Sequence, residues 1–249
     1  MILSLLKRRG WLIQKHLIST LSISFVLPIM LHLTLMLPVK AIFIRSIRHT
    51  PIELWLFPGI LFIIATVALI PHLYRDFFDL RIHKKALMPM TLTPVSKFKL
   101  TLGILTTAVI ESILFAMIGG AVLTVITGVV FPWLDYVVML AYLCLFTYFI
   151  GCIIITISLL TEHVSIFILL IFSLFIFIVF GSGIIFEFEY YPVGLGYLLR
   201  YSPVGMTIYG LRMMIFSHLF DWTSVIVPFL LISIWLPLNA EILRRKLHQ

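Results

Sequence analysis

Charge is the scarcest ingredient of this chain: 11% of its 249 residues are Asp, Glu, Lys or Arg, whereas 62% are hydrophobic. A soluble domain carries about 25% charged residues, and a mean hydropathy of +1.18 excludes that class. Cysteine is nearly missing too. The two present, Cys144 and Cys152, fall in one apolar run and imply neither a disulfide framework nor a metal site. There is no G-x-x-x-x-G-K-[ST] phosphate loop and no polar stretch long enough for a soluble α/β domain to carry one. No repeat or low-complexity segment breaks the chain, so residues 1–249 read as a single membrane domain without a bound cofactor of its own.

What is abundant is long apolar sequence. A hydrocarbon layer about 30 Å thick needs about 20 helical residues, because each rises about 1.5 Å and lipid offers the backbone no hydrogen-bond partner. Six runs reach that length, near 17–37, 54–74, 100–126, 136–160, 164–186 and 224–243. The fourth and fifth are separated only by Thr161, Glu162 and His163, which predicts a helical hairpin. Barrel strands are excluded, since the apolar residues come in solid blocks rather than ten-residue alternations. The first run reads as a retained span, because no small-residue cleavage site follows it and Pro38, Lys40 and Arg45 come next. The fold expected is an all-α integral membrane protein with six transmembrane helices.

The basic residues give an orientation, because Lys and Arg near span ends stay on the cytoplasmic side. Six crossings put both termini on one side. That side collects Lys7, Arg8, Arg9, Lys15, Arg75, Arg81, Lys84, Lys85, Lys97, Lys99, Arg244, Arg245 and Lys246, and leaves Lys40, Arg45, Arg48, Arg200 and Arg212 outside. Both termini are therefore expected in the cytoplasm. The formal charge of +8 follows from topology, and a nucleic-acid partner is not expected, since no soluble face exists to carry one.

Between the runs, three segments have local structure of their own. Ile2, Leu6, Ile13 and Leu17 recur at helical spacing with Arg8 and Lys15 on another face, predicting an N-terminal interfacial helix or, alternatively, a plain topogenic tail. Thr93 followed by Pro94 predicts a helix start, with the hydroxyl capping free N–H groups and Pro in the first turn. Upstream, Arg75 to Met88 can form a separate short helix ending at Pro89. Ser202 and Pro203 repeat the cap-and-Pro pattern, and Val204, Ile208, Leu211 and Ile215 then share one face. The outer segment Glu187 to Leu219 is expected to hold short re-entrant or interfacial helices, with Arg212 pinned by an acidic or carbonyl partner or lying at lipid phosphates.

Two of these stretches carry a resemblance. TPVSKFKLTLG, from Thr93, is similar to the cytoplasmic-loop element of ABC-2 type transporter permeases, and SPVGMTIYGLR, from Ser202 to Arg212, resembles the element before the last span in that family. LFPGI before the second span, FGSGIIF closing the fifth and LRRKL at the C-terminus sit where the family has comparable elements. The nearest likeness is to permeases of nodulation-type lipooligosaccharide exporters and daunorubicin-type drug exporters. One departure is that RDFFDLRIHKKAL, before the Thr-Pro element, lacks the Gly-Thr stretch of many members.

The resemblance implies a bacterial inner-membrane permease that exports an amphiphile, such as a lipid-linked saccharide, lipid or hydrophobic drug. Its partners would be two copies of an ABC ATPase, which would hold ATP and Mg, a second permease copy or a paralogous permease, and membrane lipids. It also implies a cytoplasmic coupling helix, with docking to the ATPase through Arg81, Lys84, Lys85, Thr93, Pro94 and Lys97, and an outer exit segment containing Ser202, Pro203 and Arg212. Glu111, inside the third run, is expected either to find a hydrogen-bonding neighbour or to face a substrate pathway, because an acidic side chain facing lipid at the bilayer centre costs about 2.5 to 3.5 kcal/mol. The competing readings are an ATP-independent secondary transporter or scramblase and, further off, an intramembrane enzyme. The latter would draw on Glu111, His32, His72, His163 or the Gly181–Gly183 turn, groups that do not repeat at helical spacing on shared spans.

Overall fold

The computed structural model describes residues 2–15, 17–43, 50–83 and 96–247, and every regular element among them is helical. Six helices are long and apolar enough to cross a membrane: span 1 is Thr20–Ile42, span 2 Ile52–Ile82, span 3 Lys97–Thr127, span 4 Trp133–Leu160, span 5 Val164–Gly181 and span 6 Thr223–Lys246. An N-terminal helix, Ile2–Lys15, precedes them, and two short corner helices, Val193–Arg200 and Pro203–Ser217, lie between spans 5 and 6.

Proline sets several of the starts. Pro51, Pro132 and Pro192 each stand immediately before a helix, and Pro203 occupies its first turn, where a missing N–H leaves nothing unpaired. Span 3 ends at Gly128, whose N–H donates to the Thr124 carbonyl at 2.9 Å and whose φ of 70° turns the following chain out of the helix. The three-residue turn after Leu160 gives the expected hairpin of spans 4 and 5.

Three boundaries differ from those read in the sequence. Span 1 runs through Pro38 to Ile42, by way of a π-helical stretch at His32–Met36, whereas the sequence places its end near Leu37. Span 2 does not stop at Tyr74 to leave a separate helix from Arg75. It continues to Ile82 through a second π-helical stretch, Tyr74–Asp79. One turn earlier Pro71 has no N–H for the Val67 carbonyl, which leaves a gap in the regular ladder just before the wider turn begins. Widening the turn absorbs the defect without breaking the helix.

The third difference is at span 3, whose helix starts at Lys97 rather than Pro94. Ser96 has extended dihedrals, φ −61° and ψ 142°, and its hydroxyl accepts from the Lys99 N–H at 3.3 Å, so it takes the capping role assigned in the sequence to Thr93. Lys84, Lys85, Thr93 and Pro94 lie outside the described residues, and so does the end of the expected short helix, residues 84–88.

Span 2 is the centre of the bundle. It packs on spans 3 and 4, span 6 closes over spans 3 and 4, and span 1 lies against span 3. Small residues permit the close approaches that packing inside lipid relies on: a Cβ on Gly151 would come within 2.4 Å of Leu105, and one on Gly119 within 2.8 Å of Ile64. Polar side chains add cross-links. Asn239 on span 6 donates to the Cys152 carbonyl at 2.9 Å and accepts from Thr156 at 2.7 Å, and the Trp235 indole donates to Thr156 at 2.9 Å.

Candidate functional site

The π-helical turn of span 2 determines where the ionisable groups go. An extra residue in one turn rotates the remainder of the helix, and both Phe77 and Phe78 become fully buried together with the neighbouring carboxylate, Asp76. Asp76 then faces Glu111 of span 3 across a gap that Arg9 of the N-terminal helix fills. One guanidinium nitrogen of Arg9 donates to Asp76 and the other to Glu111. Arg9, Asp76 and Glu111 are 5%, 8% and 7% exposed.

Two further groups complete the set. His72 Nε2 lies 3.2 Å from the second Glu111 oxygen, and Arg75 Nε lies 3.2 Å from the second Asp76 oxygen. Two carboxylates and two guanidiniums therefore balance in formal charge, and every carboxylate oxygen has a nitrogen opposite it. Such a set is tolerable in a low-dielectric interior because each member is paired. Glu111 thus has a partner, and it comes from the N-terminal helix rather than from a neighbouring hydroxyl.

The sequence reading uses Arg9 only as a topogenic charge and does not connect Asp76 with Glu111. A signal is present: Arg9 is three residues after Leu6 and four before Ile13, so it lies on the apolar stripe of its helix. A cation in the middle of an apolar stripe needs a buried anion.

A second polar site holds the outer end. Ser202 caps the second corner helix by accepting from the Gly205 N–H at 3.0 Å, and Pro203 opens it. Val204, Ile208, Leu211 and Ile215 are all buried, as their spacing predicts. Arg212, 3% exposed, donates to the carbonyls of Gly183, Ile184 at 2.7 Å and Trp55 at 3.1 Å, with its guanidinium carbon 4.0 Å from the centre of the Trp55 ring. Those carbonyls belong to the turn after span 5 and the start of span 2. Arg212 therefore joins three segments, and it is not at the lipid surface.

No family model, curated protein or solved structure matches the chain. Its chemistry therefore rests on its own residues.

Arg81 has partners within the bundle. It donates to the carbonyls of Ser158, at 2.9 Å, and Thr161, which belong to the C-terminal turn of span 4. It caps that helix end and ties span 2 to the hairpin. Lys97 is the first residue of the span 3 helix and is half-buried. Among the described residues no group of three or more His, Cys, Asp or Glu could hold a metal ion. The histidines and the Gly181–Gly183 turn considered for an intramembrane enzyme are not brought into one constellation: His72 joins Glu111, while His32 contacts Met36 on its own span at 3.2 Å.

Two apolar recesses complete the picture. One of about 570 Å³ lies between spans 2 and 5, lined by Val67, Ile70, Pro71, Tyr74, Phe167 and Phe175 among others. Another, of about 460 Å³, lies between spans 2, 3 and 4 against Phe57, Leu61, Gly120 and Met139.

Proposed function

We propose that the chain is the membrane subunit of an ATP-driven ABC-2 type exporter that moves an amphiphile out of the cytoplasm or the inner leaflet. The observation that carries the reading is the pair of elements TPVSKFKLTLG and SPVGMTIYGLR, the first leading into span 3 and the second forming the corner helix before span 6. The six apolar helices and the anchored corner helix are consistent with it. ATP and Mg would bind to a separate ATPase, present in two copies beside two permeases, and the chain would lie in a bacterial inner membrane with both termini cytoplasmic.

An amphiphile suits the interior better than a free sugar or ion. The recesses beside span 2 are almost wholly apolar, so a hydrated solute would find little to replace its water. A hydrocarbon tail would not need it. In this reading the stretch 75–99 docks on the ATPase through Arg81, Lys84, Lys85, Thr93, Pro94 and Lys97, and the bonds of Arg81 to the carbonyls of Ser158 and Thr161 tie it to the end of span 4. The two corner helices form a short re-entrant cap over the exit, fixed by Arg212.

The test is functional reconstitution. The tagged chain is purified from its own cells with the ATPase that accompanies it and placed in vesicles, and ATP hydrolysis and outward movement of a fluorescent lipid are followed. Stimulated hydrolysis with ATP-dependent export is expected, and replacing Pro94 or deleting 81–85 should reduce the stimulation. Lipid movement that proceeds at the same rate without ATP or ATPase would replace this reading with a scramblase.

A further inference from the structure

The N-terminal helix has two faces with opposite tasks. Arg9 points into the bundle and is 5% exposed. Lys7, Arg8, Trp11 and Gln14 are exposed, Trp11 by 64%, and the Lys7 ammonium lies 5.6 Å from the centre of the Trp11 ring. The geometry of the helix enforces this division. At about 100° per residue, Lys7, Arg8 and Trp11 fall within about 100° of one another, whereas Arg9 lies about 160° from both Lys7 and Trp11.

The helix leads into span 1 and touches the bundle chiefly along span 3. A helix that leads into a crossing span stands at that span's end, where the headgroup layer lies. Two cations beside an exposed indole match a surface of anionic headgroups: the cations are attracted to the negative potential and the indole prefers the interfacial layer. Nothing acidic among the described residues of this helix opposes them.

We propose that the N-terminal helix is a clamp between anionic phospholipid and the bundle, holding headgroups with Lys7, Arg8 and Trp11 while Arg9 locks between Asp76 and Glu111. The charge complementarity of the outer face selects the lipid. The Arg9 pairs transmit the attachment to spans 2 and 3, which otherwise meet the headgroup layer only at their ends. This inference is independent of the transport reading, and its test uses neither ATPase nor substrate.

The full chain is reconstituted in phosphatidylcholine bilayers with and without phosphatidylglycerol, and the thermal midpoint of unfolding is measured. Phosphatidylglycerol should raise the midpoint by about 4 to 8 °C, from two basic residues near a charged surface in a chain of this size. Replacing Lys7→Gln and Arg8→Gln together should remove more than half of that rise without changing the midpoint in neutral lipid. The rise should also shrink between about 0.05 M and about 0.5 M salt, because the attraction at the surface is screened.

Arg9→Gln should lower the midpoint in both lipids and abolish the rise, since a helix no longer locked to the bundle cannot stabilise it. If that variant fails to fold, the Lys7 and Arg8 pair and the salt series decide. The clamp is overturned if phosphatidylglycerol has no effect on the unmodified chain, or if the rise survives the double replacement or high salt. It is equally overturned if a folded Arg9→Gln chain keeps the full rise, or if replacing Arg244 and Arg245 at the C-terminus removes as much of it as replacing Lys7 and Arg8.

Discussion

Arg9, Asp76 and Glu111 hold one another in place, and none is tolerable alone. Arg9→Ala leaves two carboxylates close together without a cation between them, so a loss of about 3 to 5 kcal/mol is expected. Glu111→Gln keeps the shape and leaves Arg9 paired with Asp76, so it should cost less, about 1 to 3 kcal/mol. Neutralising the three most buried members together, with Arg9→Met, Asp76→Asn and Glu111→Gln, should be milder than Arg9→Ala alone, because the one charge left without its partner, on Arg75, is half-exposed. Denaturation of the purified variants in one lipid environment checks the order. A triple variant less stable than Arg9→Ala would show that specific ion pairing, not charge balance, sets the cost.

The legibility of these residues in the sequence is uneven for a physical reason. A burial requirement is visible one residue at a time: Glu111 inside an apolar run needs a partner, and Arg212 before the last span needs one too. The partner's identity depends on which faces of different helices meet, and that is altered here by the π-helical turn after Pro71. Its widening carries Asp76 inward, and single-sequence periodicity assumes a regular helix. The corner helix is readable because Ser202, Pro203 and four apolar residues at regular spacing all lie within one element. The six spans are readable because length and hydropathy are local properties.

At the scale of the element, the starts and turns should respond to substitution as caps do. Ser96→Ala removes the hydroxyl that accepts from Lys99 and should cost about 0.5 to 2 kcal/mol. Gly183 stands at φ 80° with the Phe188 ring 2.6 Å from any added Cβ. Gly183→Ala combines left-handed strain of about 1 to 2 kcal/mol with that clash, and it should displace the carbonyl that Arg212 uses. Both effects can be followed as thermal midpoints, and the second also as loosened protection of the corner helix. A cysteine replacing Ile208, which is 1% exposed, should resist a membrane-impermeant thiol reagent. Free labelling there would mean that the corner helix does not pack as described.

The hairpin of spans 4 and 5 has a tie of a different kind. Lys246 lies 3.1 Å from Glu162, and the hydrogen bond and positive charge of Lys246 hold the Glu162 carboxyl below its usual range. A lowered folded pKa means that the pair's stabilisation is present above the ordinary carboxylate range and fades as pH falls through the lowered value. Because Glu162 is open to solvent, the effect on stability should be small. The sensitive measurement is the titration midpoint of Glu162 by carbon NMR, which should rise in Lys246→Gln; an unchanged midpoint would remove the pair from the account.

For the whole molecule the deciding property is the number of crossings. Span 2 is the central helix, with 78% of its apolar window buried, whereas spans 1, 5 and 6 each bury only 22%. Ile23, Phe172 and Phe229 project from those peripheral helices with exposures of 55%, 59% and 60%, which is the arrangement lipid solvates and water does not. If all six cross, the N-terminal helix and the C-terminus share a side, and the corner helices and the turn at Phe220 to Trp222 lie on the other. The same parity gathers most of the basic residues with the termini. A chain carrying Cys144→Ser and Cys152→Ala, with a single new cysteine replacing Gln14 or Phe220, separates the possibilities. An impermeant thiol reagent on intact cells should reach position 220 alone, and position 14 only after the membrane is opened. Labelling of both positions in intact cells would make the number of crossings odd. Span 1, the least enclosed helix next to a terminus, would then be the first to be reassigned to the membrane surface.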